Sequence, residues 1–598
     1  VLRDKRTLLR FFAVLTVVML VGAACGGGDD GDDGGGGIQN EDIQLSEDVE
    51  PGGELRIASS SDVDYMDPAS MYYTVSFFLA RGVFRNLVHY PGNVTDMEAQ
   101  NELVPDLATG LGEPNEDFTE WTYTIQDGVL YGKALGGEDV SGVTGEEIVC
   151  DDFKYALERV FLESVGGGYP FYYDMIEGAE EFPDNADEIS GIECVDEKTI
   201  TFHLAEPVGD WDFRMAMAAA SPVPRAAAEQ YDKKEDSDYD SHVVATGPYY
   251  IAEWTPGEQI QLERNEHWDP ETDQIREAYV DSVDWQQGYD NDVGVQKILD
   301  GEEDLAIDVS PQGPVLEEVV TDPELSSRFI NEPEGCTRYL YMNTRLEPFD
   351  DPLVRQAVNY AIDRSNIKRV FGGPTTGPIA TSVVPPGLAG YLPPEEFNPY
   401  ETPDMAGDMA RAKELMAEAG YPDGYDKTIK VVGASDPPHD KIFETVRADL
   451  EELGFSNIDG KTPKFPNQYT QFYSVPDQDV HFGTSAGWCK DYNSAYTFLE
   501  PLFHSKNILP SGNQNYAELD DPQMDELIDT ATATAPGEEQ TAAWEEANRY
   551  ATETAVWVPW SWDASTLIYS DRVVNAYYLS NHSGFDWVNV GIDQGAAE

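Results

Sequence analysis

The sequence predicts a mixed α/β protein with more than one domain, and three observations carry that prediction. The chain has 598 residues, more than one hydrophobic core organises. Stretches with two-residue alternation, such as Gly53 to Ala58 and Trp121 to Val129, read as strands. Between them lie segments with helical spacing: Phe153, Ala156, Leu157 and Val160, then Val354, Ala357, Val358, Ala361 and Ile362. No repeat with a period of roughly 20–50 residues is visible.

Composition narrows the function classes. Hydrophobic content of 41% is ample for packed cores. Lys+Arg minus Asp+Glu is 37 − 113 = −76. Such acidity argues against nucleic acid, whose phosphates require a basic patch, and against electrostatic attachment to anionic lipid. The acids are spread along the whole chain and read as a solvated surface. Taken as adaptation to high salt, they predict lower stability in dilute buffer than in molar salt.

The elements follow in order. Residues 1–25 read as a targeting segment: Arg3, Lys5, Arg6 and Arg10 precede an apolar run, Phe11 to Val21, too short to span a bilayer. Ala23-Ala24-Cys25 resembles a bacterial lipobox, with Gly22 where a branched aliphatic is usual, so Cys25 is the expected lipidation site. Val1 reads as a literally translated GTG start, which makes this the expected N-terminus. Residues 26–51 are Gly/Asp-rich and are expected to form a flexible linker. The cluster Asp29-Asp30-Gly31-Asp32-Asp33 lacks the spacing of a calcium loop.

The folded part opens at Gly53, and Met71-Tyr72-Tyr73-Thr74 precedes a helical stretch from Phe77 to Asn86. Trp121 to Val129 stops at Asp127-Gly128, a hairpin signal. Asp151 and Asp152 are placed to cap the helix that follows. Cys194 to Leu204 reads as a turn entering a strand. Thr246-Gly247-Pro248-Tyr249 and Leu262-Glu263-Arg264-Asn265 each sit in strand-like runs, and Gly335 to Asn343 is another. Asp351 is an N-cap with Pro352 at the first helical position. Ala412 to Ala419 is a helix stopped by Gly420, and Ile442, Val446, Leu450 and Leu453 mark one stopped by Gly454. Asp521-Pro522 and Trp544 to Ala551 are helical, and Val556 to Trp562 is an extended aromatic run.

Ser485 to Phe503 is the most informative stretch. Gly487-Trp488-Cys489-Lys490-Asp491-Tyr492 follows a strand-like run containing Val480 and Phe482. A glycine, an aromatic and a carboxylate at a strand end supply what a small-ligand site needs: close backbone approach, a flat wall and a fixed charge. The same stretch contains Gly483-Thr484-Ser485-Ala486-Gly487, the pattern of a serine-hydrolase nucleophile elbow. An elbow needs a helix directly after the serine, and Trp488-Cys489-Lys490-Asp491 is a poor helix start. A secreted hydrolase using Ser485, with Asp491 and His504 as partners, is therefore the alternative outside the binding class. There is no C-x-x-C, and the histidines show no i, i+4 pair, so no local zinc motif exists. No metal site and no cofactor are expected.

Gly-Trp-x-x-Asp-Tyr at 487–492 resembles the segment that holds the ligand amine in the extracellular solute-binding proteins of family 5, the oligopeptide and dipeptide receptors of ABC importers. Four further phrases stand in the family's order. They are Asp127-Gly128-Val129 with the Asp152-Phe153-x-Tyr155-x-x-x-Arg159 helix, the Thr-Gly-Pro-Tyr strand, the Leu-x-Arg-Asn strand, and Asp350 to Arg364. The resemblance covers about residues 52–590.

It implies a two-lobed periplasmic-binding-protein-like fold with an extra inserted domain: domain I from 52–80, 206–335 and 565–598, domain II from 81–205, and domain III from 336–564. It implies a ligand enclosed between lobes by Gly487, Trp488, Cys489, Asp491 and Tyr492. Tyr72, Tyr73 and Thr74 would lie on a strand at the cleft edge, with Asp491 on the ligand amine. It implies a peptide ligand, with a nickel complex, haem, oligosaccharide or opine as the alternative within the class. The expected partners are ABC permease subunits. The expected state is a monomer, lipid-anchored on the outer face of the cytoplasmic membrane. The five cysteines are Cys25, Cys150, Cys194, Cys336 and Cys489. With Cys25 lipidated, three pairings of the other four are open. Related receptors join cysteines at the places of Cys336 and Cys489, which leaves Cys150 with Cys194. For a ligand carboxylate, the residues before Gly487 offer only His481.

Overall fold

The computed structural model describes residues 39–595, apart from Glu98, Glu235, Pro466 and Ser511. Cys25 and the signal segment lie outside the described residues.

Two mixed sheets and one antiparallel sheet organise the chain. The first runs Leu305–Ile307, Glu54–Ser59, Ser282–Gln286, Gln259–Arg264, Tyr249–Thr255. Its first three strands are parallel and the last two antiparallel. Leu55, Ile57 and Ala58 are all fully buried, as a central strand covered on both faces requires. The second is a four-stranded antiparallel sheet: Glu113–Pro114, Glu120–Thr124, Thr199–His203, Ile192–Asp196. The third runs Phe455–Lys461, Tyr425–Val432, Phe482–Cys489, Phe329–Met342, Trp557–Ile568. The fold is the expected mixed α/β one, built on several sheets.

The paired strands Phe329–Met342 and Trp557–Ile568 join two separate cores. At one end Phe329 and Ile568 pack with Ala58, Ile298, Ala306 and Val319, beside the first sheet. At the other, Leu340, Met342, Val558 and Trp560 pack with Val354, Val358, Ile442 and Val446. Their register shifts between Pro333 and Thr337, where they pass from one core to the other. A two-strand crossing with an irregularity in its middle is a place where packed lobes can rotate.

Local signals set the helices. Asp351 accepts a hydrogen bond from the Leu353 amide at 2.8 Å, and Pro352 opens the helix Pro352–Ala361. Its buried face is Val354, Ala357, Val358 and Ala361. Helix His439–Leu453 ends at Gly454 with φ 117°. In the helix Cys150–Val160, Asp152 takes the Val149 amide at 2.9 Å.

Three local expectations are corrected. The Asp127-Gly128 turn forms, with Gly128 at φ 78°, but no hairpin follows it. Glu120–Thr124 pairs instead with Thr199–His203, far along the chain. The hairpin lies at Glu197-Lys198, between Ile192–Asp196 and Thr199–His203, where Asp196 accepts the Lys198 amide at 2.9 Å. The linker expected to reach residue 51 is docked in its last part. Asn40 is fully buried, donating to the Thr95 and Tyr578 carbonyls and to no solvent. Ser46 and Asn575 exchange two hydrogen bonds. Finally, no strand runs through Tyr72–Thr74; Tyr73 is the N-cap of the helix Thr74–Val83.

Candidate functional site

The site is built on the strand Phe482–Cys489, which is central in its sheet and buried from Phe482 to Ala486. In its antiparallel pairing with Phe329–Met342, Cys489 stands opposite Cys336, Trp488 opposite Thr337 and Gly487 opposite Arg338. Cys336–Cys489 is a disulfide, and so is Cys150–Cys194. The first pins the strand's end to its neighbour and aims the chain that follows. Trp488 donates its indole N–H to the Thr497 carbonyl at 2.8 Å, so its polar end is used within the protein. Cys489 is exposed, and its sulfur is committed to the disulfide.

Beyond the strand, residues 491–493 are gripped by elements from the first half of the chain. Tyr172 donates its hydroxyl to Asp491. Tyr492 donates to Asp210 at 2.7 Å and stacks on Phe213 with ring centres 5.9 Å apart. The Asn493 amide donates to the Tyr90 hydroxyl at 3.3 Å. Burial pushes the Asp491 carboxyl up to about 6, against the opposing pull of hydrogen bonds from Tyr172 and Tyr72. No Lys, Arg or His pairs with Asp491 among the described residues. The adjacent Lys490 turns away, donating to Asn493 Oδ1 at 3.0 Å, and burial brings its ammonium down to about 7. Asp491 is thus a partly buried anion held by neutral hydroxyls, a setting that suits a cation brought by a ligand.

The expected residues at 72–74 divide. Tyr72 is half-buried, its ring 5.4 Å from that of Tyr169, and its hydroxyl reaches Asp491. Tyr73 is 57% exposed and Thr74 is exposed at the helix start. The backbone amides of Tyr72 and Tyr73 both donate to Asp64 Oδ2, at 2.7 and 3.1 Å. Those two N–H groups are not free for a ligand strand, and the expected strand at the cleft edge is corrected to a turn entering the helix Thr74–Val83.

Sequence reasoning missed a second charged group. Arg338 lies over Gly487 and borders a cleft of about 460 Å³ together with Gln312, Glu334, Phe371, Pro438 and Asp563. Arg338 Nε donates to Asp563 Oδ2 at 2.6 Å, and its two terminal nitrogens have no hydrogen-bond partner among the described residues. Asp563 also accepts from Ser561, which in turn accepts from Lys368 at 2.6 Å. Burial and the Asp563 charge push the nearby Glu334 up to about 7. The Tyr469 hydroxyl accepts the Gly487 amide at 3.0 Å, and its ring lies 6.1 Å from Tyr516. The available signal was an arginine on the approach from Cys336 to the apolar run Tyr339-Leu340-Tyr341-Met342. His481 is bound to the Asp479 carbonyl before the strand begins. The eight-residue strand places it roughly 25 Å from the Asp491 end.

Among the described residues no hydrolase constellation surrounds Ser485. The serine is in mid-strand and 5% exposed, with its Oγ unpartnered. His504 pairs with Asp525 and Asp529 at 3.3 Å each, and Asp491 with Tyr172. Among the described residues no group of metal-ligating side chains stands together, and no helix is long and apolar enough to cross a membrane.

Asp491 follows the strand Phe482–Cys489 and Arg338 lies on its neighbour Phe329–Met342, one of the two strands of the crossing, an arrangement that suits a receptor for a small solute. The chain belongs to the bacterial extracellular solute-binding proteins, family 5, the substrate-binding proteins of ABC importers; the family profile matches residues 102–509. It is 25% identical over 549 residues to the glutathione-binding protein GsiB of Salmonella paratyphi A, covering 89% of this chain and 91% of that one. It is 26% identical over 521 residues to heme-binding protein A of Haemophilus influenzae, covering 86% and 87%. Among solved structures, clavulanic acid biosynthesis oligopeptide binding protein 2 superposes with a TM-score of 0.84 at 29% identity, over 94% of this chain and 99% of that one. DppA of Helicobacter pylori in complex with peptide STSA shares the fold, with a TM-score of 0.70 at 22% identity over 91% and 99%. These relatives are solute-binding receptors, not enzymes.

Proposed function

We propose that the chain captures short peptides outside the cytoplasmic membrane and delivers them to an ABC permease. The observation that carries this reading is Asp491: a partly buried carboxylate beside the hydroxyls of Tyr72 and Tyr172, with no cation paired to it among the described residues. In the proposal a peptide α-ammonium supplies that cation, giving its three donors charged and neutral acceptors. Gly487 and Tyr492 flank the bound amine, and Trp488 backs the wall. At the other end the free fork of Arg338 takes the ligand carboxylate, a planar bidentate match. Among the similar proteins, one is named for oligopeptides, one for glutathione and one is a complex with a tetrapeptide, which supports a peptide-class ligand.

The proposal includes the division into domain I (52–80, 206–335, 565–598), domain II (81–205) and domain III (336–564). The separate cores joined by the two long strands support it. Closure about that crossing encloses the ligand. Anchoring is through a lipid on Cys25, and the receptor acts as a monomer. A non-peptide solute is the second reading, favoured by the similarity to heme-binding protein A. Mass spectrometry of solute carried through purification separates the two. Peptides of a few residues support the proposal; a porphyrin, sugar or metal complex contradicts it.

A further inference from the structure

Beside Asp491 lies a small cavity, lined by the apolar Phe77, Tyr90, Phe213 and Met217 and by a polar group of His89, Asn581 and His582. That polar group carries hydrogen-bonding atoms with no partner among the described residues. Both ring nitrogens of His582 are buried and unpartnered, and so is Asn581 Oδ1. The Asn581 amide is oriented, because its Nδ2 donates to the Gln100 carbonyl at 3.0 Å. The oxygen is therefore what the cavity receives. His89 is also oriented. Its Nδ1 accepts from the Tyr90 amide at 2.8 Å and faces Arg81 Nη1 at 3.0 Å. The ring proton then sits on Nε2, which has no partner among the described residues. The two imidazoles stack, 5.7 Å apart. Burial and the cations Arg81 and Arg276 keep both rings neutral, with His582 brought down to about 3.

The cavity thus offers one fixed donor, one fixed acceptor and one imidazole that supplies either. It offers no cation, since Lys490 does not line it, and its only charge is Asp491. Buried polar groups left unpaired are costly, so such a lining selects an occupant that pairs with them. Its room is about 40 Å³, space for roughly three water molecules.

We propose that this cavity is the subsite for the ligand's amino-terminal side chain, and that His89, Asn581 and His582 select a compact, uncharged side chain that both donates and accepts hydrogen bonds: the hydroxyl of serine or threonine, or the carboxamide of asparagine. The inference rests on the reading that Asp491 holds the α-ammonium, which places the first side chain next to this polar group. A carboxylate side chain meets no counter-charge there and stands against Asp491. An aromatic one exceeds the room. Ordered water alone, filling the cavity whatever the ligand, is the competing account.

The test is calorimetry of the full chain with tripeptides Xaa-Ala-Ala, where Xaa is Ser, Asn, Ala, Asp or Phe. The expected result is that Ser and Asn bind about tenfold or more tighter than Ala and Phe, with Asp weaker than Asn. In Asn581→Leu the preference for Ser and Asn over Ala should collapse, while Ala-Ala-Ala binds within about twofold of wild type, with the thermal melt as the check on folding. The wild-type series decides even where the variant folds poorly. Equal affinity for Ser, Asn, Ala and Phe overturns the subsite and leaves the peptide-receptor reading standing. Failure of every tripeptide to bind removes both.

Discussion

Arg338 stands directly opposite Gly487 in the antiparallel pairing, and the missing side chain of the glycine is what lets the arginine lie across the strand. A Cβ at 487 would come within 3.0 Å of Arg338 Cδ and 3.1 Å of its Nη1. Gly487→Val should push Arg338 off the strand and disturb its pair with Asp563. Arg338→Met should remove the fork outright and cost about 2–5 kcal/mol in binding of peptides with a free carboxylate. C-terminally amidated peptides should lose little in Arg338→Met. Calorimetry with the two peptide forms checks this; equal losses for both would assign Arg338 a structural role only.

The Cys336–Cys489 disulfide closes a separation of 153 residues, against 44 for Cys150–Cys194. In the chain-entropy account, losing the longer closure costs about 2–5 kcal/mol. The Cys336→Ser/Cys489→Ser double variant should therefore unfold at lower urea than wild type, and bind more weakly because residues 490–493 lose their anchor. Unchanged unfolding and binding would show that the strand pairing alone positions the segment.

A buried ion-pair cluster ties together segments from the first half of the chain. Arg85 pairs with Asp106 at 2.7 Å, and Arg276 pairs with Asp106 and Asp273 at 3.0 and 3.1 Å, all with side chains out of solvent. Burial pushes Asp273 up, but Arg276 and Arg85 outweigh it and hold its carboxyl well below the usual range. Because the folded carboxyl is the stronger acid, its stabilisation is complete above the ordinary carboxylate range and declines as pH falls below about 4. Asp273→Asn should cost about 3–5 kcal/mol at pH 7, with the gap to wild type narrowing in acid. Urea unfolding at pH 7 and pH 3.5 measures it; a gap that does not depend on pH would contradict the assignment.

What the sequence makes legible depends on how locally each feature is encoded. The Pro352–Ala361 helix is written in adjacent residues: an N-cap, a proline and an apolar face. The hairpin was misplaced because Asp127-Gly128 is the stronger turn signal, yet Glu197-Lys198 closes the strands that pair. The role proposed for Asp491 rests on family resemblance. Its holder Tyr172, 319 residues away, could not be foreseen, since no local period links them. Arg338 was overlooked for a related reason: its fork faces a cleft made jointly by Gln312, Phe371 and Asp563, which meet only in the folded chain. The Tyr72–Thr74 expectation failed because Asp64 takes the backbone amides that a strand would have offered.

The central claim is that Asp491, as an anion, holds the ligand α-ammonium. With its carboxyl pushed up to about 6, lowering the pH from 7.5 to 5 protonates it and should weaken peptide binding. Asp491→Asn should bind weakly throughout and lose most of this dependence.

The most direct measurement is calorimetry at pH 7.5 with one short peptide and its N-acetylated counterpart, on wild type and Asp491→Ala. Wild type should prefer the free amine by about 2–5 kcal/mol, and Asp491→Ala should bind both forms weakly and alike. Equal binding of free and acetylated peptide by wild type, or undiminished binding by Asp491→Ala, would contradict the claim.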